Sequence, residues 1–102
     1  MQAAIKSCLD CHGTCLHMAM TYCVEKGGRH AEAAHLRLLM NCAELCQTSA
    51  NFMLSGSPLH GRVCGVCAEL CEACARSCEQ VGDMNECIEQ CRRCAKSCRS
   101  MA

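Results

Sequence analysis

Aromatic side chains are almost missing from this sequence: Tyr22 and Phe52 are the only two, and there is no tryptophan. Base stacking therefore has almost nothing to work with. Lys plus Arg equals Asp plus Glu at 10 each, so no net positive charge is available to hold a phosphate backbone, and no nucleic-acid partner is expected. No apolar run approaches the roughly 20 residues a membrane helix needs, so no membrane partner is expected either. The opening Met1–Asp10 stretch carries one lysine and no apolar segment, unlike a secretory signal. Ordinary core formers are scarce as well. Leu, Ile, Val and Phe together number 16 of 102 residues, less than a packed domain of one-domain length normally uses. No Ser-His-Asp set, phosphate loop or paired-carboxylate site stands out, and the expectation is that the chain is not an enzyme.

What fills the gap is cysteine, with 15 residues. In a secreted chain that richness signals a disulfide scaffold; in a reducing compartment it signals metal binding or redox chemistry. An odd count rules out complete internal pairing. Free cysteine packs as a small hydrophobe, so thiols can themselves form the core.

Punctuation divides the chain in four. Gly27-Gly28 makes the first break. Ser55-Gly56-Ser57-Pro58 makes the second, with Gly56 suited to a helix C-terminus, Ser57 to an N-cap and Pro58 to a first helical position. Gly82-Asp83 makes the third, with Asp83 and Glu86 spaced as a capping box. The segments, roughly 3–26, 31–54, 58–80 and 84–100, form one domain. Short connections favour an all-α, up-down-up-down antiparallel four-helix bundle.

Cysteine spacing assigns the helix face. Cys64, Cys67, Cys71, Cys74 and Cys78 alternate steps of three and four, as do Cys87, Cys91, Cys94 and Cys98. Cys8, Cys11 and Cys15, and Cys42 with Cys46, follow the same rhythm. That is the inward seam of a heptad, which no strand would place on one face. His35, Leu39, Ser49 and Met53 continue it on the second helix, His60 on the third, Met84 and Met101 on the fourth, and Met18 on the first. Cys23 falls one residue out of phase, where strict rhythm lands on Tyr22.

Stacked antiparallel, these stripes give layers about 5 Å apart. Ala4, Met53, His60 and Met101 close one end. Cys8, Ser49, Cys64 and Cys98 follow, then Cys11, Cys46, Cys67 and Cys94, then Cys15, Cys42, Cys71 and Cys91. Met18, Leu39, Cys74 and Cys87 come next. Cys23 or Tyr22, with His35, Cys78 and Met84, closes the other end. His12, His17 and His30 fall off the stripe and are expected at the surface. Leu9, Leu16, Leu38, Leu45, Val63, Val66, Leu70 and Ile88 flank it, as bundle seals or a subunit interface. Gly61 and Gly65 lie inside a helix, read as a tolerated cost more than as a close helix approach.

Two thiolates three or four residues apart on a helix lie close enough to share one metal ion. Soft thiolate and thioether ligands select Cu(I), with zinc as the competitor. Cu(I) accepts two or three ligands, whereas zinc asks for a tetrahedron, and only two layers offer four sulfurs. The metal ligands expected from the stripe are the fifteen cysteines, with Met18, His35, Met53, His60, Met84 and Met101 as further donors. The rival readings are a metallothionein-like zinc or cadmium buffer and a thiol redox protein, the latter needing accessible activated thiols. A copper-responsive regulator has no DNA-binding charge to use.

The runs Cys64-Gly-Val-Cys67-Ala-Glu-Leu-Cys71-Glu-Ala-Cys74-Ala-Arg-Ser-Cys78 and Cys91-Arg-Arg-Cys94-Ala-Lys-Ser-Cys98-Arg-Ser-Met resemble the cytosolic copper storage proteins, a Cys-rich four-helix-bundle family. Cys8-Leu-Asp-Cys11 and Cys42-Ala-Glu-Leu-Cys46 match as well, so the resemblance runs nearly end to end. It implies a homotetramer of bundles, each holding many Cu(I) ions loaded from one open end, in the bacterial cytoplasm. It implies that the matching cysteines are Cu(I) ligands. A cytosolic copper chaperone or a copper-requiring enzyme is the expected exchange partner. The sequence departs from the family pattern at Met18 and His35, where cysteine is common, at the displaced Cys23, and at Leu39, which offers no donor.

Overall fold

A computed structural model describes all of residues 1–102. The first helix runs Gln2–Met18, passes through a π-helical turn at Ala19–Cys23 and ends at Val24–Lys26. A 3-10 turn, Gly28–Ala31, leads to the second helix, Ala33–Leu54. The third spans His60–Val81 and the fourth Asn85–Met101. There are no strands. The first helix packs on the second and fourth, and the third packs on the same two, which is the square arrangement of an up-down-up-down bundle. The molecule is a rod of 42 × 19 × 18 Å. No helix is long and apolar enough to cross a membrane.

The core is made of sulfur and small side chains. All fifteen cysteines are buried and free. Ala4, Ala19, Ala43, Ala50, Ala68, Ala75 and Ala95 fill the space beside them, with Leu39, Met53 and Met84 as the larger residues. Small core residues let the helices approach closely enough for facing thiols to meet. Leu16, Leu45, Leu70 and Ile88 pack half-buried against this core, whereas Leu9 and Val66 are exposed.

The π turn accounts for the phase slip in the first helix. One extra residue per turn advances the buried stripe from Met18 to Ala19 and from Tyr22 to Cys23. Ala19, not Met18, takes the core position; Met18 packs half-buried at its edge.

The turns differ from their sequence signals in detail. Gly56, at φ +70°, closes the second helix as expected. Pro58 stays in the turn, the third helix begins at His60, and the Ser57 hydroxyl accepts the Leu59 N–H at 3.1 Å. The Asp83–Glu86 capping box does not form. Asp83 sits in the left-handed region at φ +56°, which spends it on the turn, and Met84 becomes the residue preceding the helix with no side-chain cap. Gly61 does mark a close approach, contrary to the reading of it as a tolerated cost. A Cβ there would lie 3.3 Å from the Met101 carbonyl oxygen.

Candidate metal centre

The heptad seam brings thiols from all four helices to the bundle axis. Within a layer, Cys8 meets Cys98 at 3.4 Å, Cys46 meets Cys67 at 3.7 Å and Cys94 at 3.8 Å, and Cys15 meets Cys91 at 3.5 Å. Cys42 meets Cys71 at 3.6 Å. Between layers the steps are only slightly longer: Cys94 to Cys8 is 3.7 Å, Cys46 to Cys71 is 3.7 Å, and Cys11 lies 3.9 Å from each of Cys15, Cys42 and Cys91. Sulfur therefore touches sulfur without interruption from Cys98 to Cys91.

The tightest four-sulfur groups straddle the expected layers. Cys8, Cys67, Cys94 and Cys98 form one, Cys11, Cys46, Cys71 and Cys94 a second, and Cys11, Cys15, Cys42 and Cys91 a third, each with all sulfurs within 4.8 Å. Adjacent groups share a member, Cys94 or Cys11. A metal–thiolate bond of about 2.3 Å sets sulfurs about 3.8 Å apart around a tetrahedron and about 4.6 Å apart across a linear centre. The observed contacts of 3.4–4.0 Å lie nearer the tetrahedral spacing than the linear one, but the shared members rule out three independent four-thiolate sites and call for bridging thiolates.

Burial raises the pKa of one thiol near each end of the string. Burial, aided by the charge of Cys78, pushes the Cys23 thiol up to about 11, and burial likewise raises Cys64. Cys42 moves the other way, because its sulfur sits among four cysteines, Cys11, Cys15, Cys46 and Cys71, whose S–H groups can donate to it.

Donor chemistry changes at the end holding Cys23. Its Sγ lies 3.6 Å from His35 Nε2 and 3.7 Å from Met84 Sδ. His35 is buried, its Nδ1 lies 2.8 Å from the Ser77 hydroxyl, and burial lowers its pKa, so the ring is neutral. His30 was expected at the surface and is instead buried. Its Nε2–H donates to the Gly82 carbonyl at 2.8 Å, and its ring stands edge-on to Tyr22 and to His35. The 3-10 turn after Gly27-Gly28 folds His30 inward, a rotation that helical periodicity from either side could not signal. His12, another off-stripe histidine, is half-buried and donates Nδ1–H to the Ala43 carbonyl at 2.8 Å; His17 is exposed as expected.

At the opposite end Met53 is buried, and His60 and Met101 are half-buried. The Ser57 carbonyl can only accept, so the 2.9 Å contact from His60 Nδ1 fixes the proton there and leaves the Nε2 lone pair free.

A bundle whose axis is a continuous string of buried, unpaired thiols defines a class of multi-metal thiolate protein. The whole chain, residues 1–102, matches the sequence profile of the copper storage protein family, and the chain belongs to that family. It is 35% identical over 77 residues to the cysteine-rich protein YhjQ of Bacillus subtilis, covering 76% of this chain and 70% of that one. Among solved structures it resembles the Nmul_A1745 protein of Nitrosospira multiformis, with 63% identity, a TM-score of 0.97 and coverage of 99% and 93% of the two chains. It also resembles Cu(I)-bound copper storage protein BsCsp3, with 35% identity, a TM-score of 0.91 and coverage of 99% and 96%. The apo form of Csp3 from Bacillus subtilis aligns with a TM-score of 0.88 and 34% identity over 99% of this chain and 97% of that one.

Proposed function

We propose that this protein stores Cu(I) along the axis of its bundle, with the fifteen cysteines as ligands. The observation that carries the reading is the unbroken sulfur string, with contacts of 3.4–4.0 Å shared between neighbouring groups. Soft thiolates select Cu(I) over hard cations. Each incoming ion displaces thiol protons, which leave for solvent, so uptake weakens in acid. Charge sets the capacity. A buried core cannot hold a large net charge, and two thiolates on each Cu(I) would leave one negative charge per ion. Bridging thiolates remove that surplus, and the neutral limit is one Cu(I) per thiol.

The remaining donors sit at the two ends. His35 and Met84 flank Cys23, while Met18 lies off the stripe and is the weakest candidate. We place the entry at the Met53, His60 and Met101 end. Its donors grade from half-exposed to buried, and His60 offers a free Nε2; the other end is closed by Tyr22, His30 and His35. A cytoplasmic site of action suits so many oxidisable thiols. Assembly as a homotetramer and exchange with a copper chaperone or copper-requiring enzyme complete the reading; the exposed Leu9 and Val66 are candidates for the subunit interface.

The test is an anaerobic titration of reduced apo-protein with Cu(I) against a competing chelator, beside a zinc titration. Uptake approaching one Cu(I) per thiol, with fewer and weaker zinc ions, is expected. Saturation at a few ions, or zinc that copper only partly displaces, would return the chain to the zinc-buffer or redox readings.

A further inference from the structure

Ser49 is the one hydroxyl on the metal-facing stripe, and it is anomalous. Its side chain is fully buried, at 0% exposure, and its Oγ has no hydrogen-bond partner. Buried hydroxyls are almost always paired, and an unpaired one costs about 1–3 kcal/mol. The register places it among the sulfurs. Cys46 meets Cys67 and Cys94, at 3.7 and 3.8 Å. One turn further along each of those helices come Ser49, Cys64 and Cys98, and Cys98 meets Cys8 at 3.4 Å. Ser49 thus completes the layer of Cys8, Cys64 and Cys98, beside the four-sulfur group that Cys8 and Cys98 share with Cys67 and Cys94.

A neutral thiol is a weak acceptor, and a thiolate is a strong one. No thiolate needs to exist in this layer until a metal ion replaces a thiol proton. We infer that Ser49 is a latent donor: its O–H lacks a partner in the apo-protein and donates to a metal-bound thiolate of this layer once Cu(I) is in place. No bond to Ser49 breaks. The cysteine S–H proton leaves to solvent as the Cu–S bond forms, and the hydroxyl turns toward the new negative charge. The unpaired hydroxyl then weakens the empty state and strengthens the loaded one, which raises the affinity of the end nearest Met53 and His60 without adding a ligand. This inference rests on the copper-storage reading above.

The experiment is an anaerobic Cu(I) competition titration of the full chain with a chelator, on wild type, Ser49→Ala and Ser49→Cys, with thermal unfolding of each apo-protein by circular dichroism. Ser49→Ala should leave the number of ions unchanged and the apo melting temperature equal or higher. It should also release its most weakly held copper to the chelator about tenfold more readily. Ser49→Cys, nearly the same size, should keep the fold and take up about one more ion. An Ser49→Ala protein with wild-type affinity, or one whose apo melting temperature falls while its affinity is kept, overturns the inference and makes the hydroxyl a structural group. If Ser49→Ala fails to fold, an unchanged count in Ser49→Cys overturns it equally. Poor uptake by wild type would instead sink the storage reading, and the Ser49 inference with it.

Discussion

The middle of the bundle and its Cys23 end are built by the same helices from different chemistry. In the middle, every stripe position is a thiol, and sulfurs from four helices touch. At the Cys23 end the Cys23 thiol faces an imidazole and a thioether, and on the first and second helices Ala19 and Leu39 fill core positions without a donor. The third and fourth helices carry their cysteines through to that end, in Cys74, Cys78 and Cys87, while the first helix contributes only Cys23 and the second none. A core made of identical donors offers many equivalent positions to a metal ion. A mixed end, with an imidazole and a thioether beside Cys23, offers fewer and more distinct positions.

The comparison breaks most visibly if the middle is emptied. Changing Cys71 and Cys91 together to Ser removes one member from each of two four-sulfur groups. Uptake should fall by about two to four Cu(I) ions while circular dichroism stays helical. Unchanged capacity would mean that the central thiols are not ligands.

Alkali acts on the ends of the string. The Cys23 thiol has a folded pKa of about 11 against an ordinary 9.0, because burial disfavours its thiolate. The folded state therefore holds this proton more tightly than the unfolded state does. The resulting stability is complete below pH 9 and is lost as pH rises from 9 to 11, at no more than about 1.4 kcal/mol per pH unit for this one group and less where solvent screens it. Thermal unfolding of reduced apo-protein should show a falling melting temperature across that window and none from this source between pH 6 and 8. A flat profile would show that Cys23 ionises in place.

A smaller, sharper change comes from His35→Ala, which should remove about one Cu(I) and part of the nitrogen signature from X-ray absorption while sparing the thiol string. Full nitrogen signal in that variant would move the donor elsewhere. Smallest are the glycines. Gly13→Ala, in open space on a helix, should stabilise by about 0.5–1 kcal/mol, whereas Gly61→Ala meets the Met101 carbonyl and should gain nothing or lose. Chemical denaturation of the two variants separates them.

The same two regions differ in how far they could be read from sequence. The middle was legible because the heptad alternation of Cys64–Cys78 and Cys87–Cys98 admits one helix face, and four such faces pack one way. The end was not. The slip between Cys15 and Cys23 was visible as a count, but its remedy, a π turn that puts Ala19 rather than Met18 inside, depends on tertiary burial. His30 was missed because it lies in a 3-10 turn outside any stripe; the paired glycines before it were the available signal. The straddling four-sulfur groups were missed for a simpler reason. Layers describe Cα heights, whereas side chains lean toward the helix N-terminus, so antiparallel neighbours offset their sulfurs.

The absence of any gap in the sulfur string has a consequence for time as well as for quantity. Metal ions seated between sulfurs that already touch cannot overtake one another while the helices stay packed. Copper admitted at one end would then leave in reverse order of arrival, with the latest ions exchanging quickly and the earliest held for as long as the queue before them lasts. A store of this shape keeps a record of its own filling, and an isotope pulse during loading would read that record out.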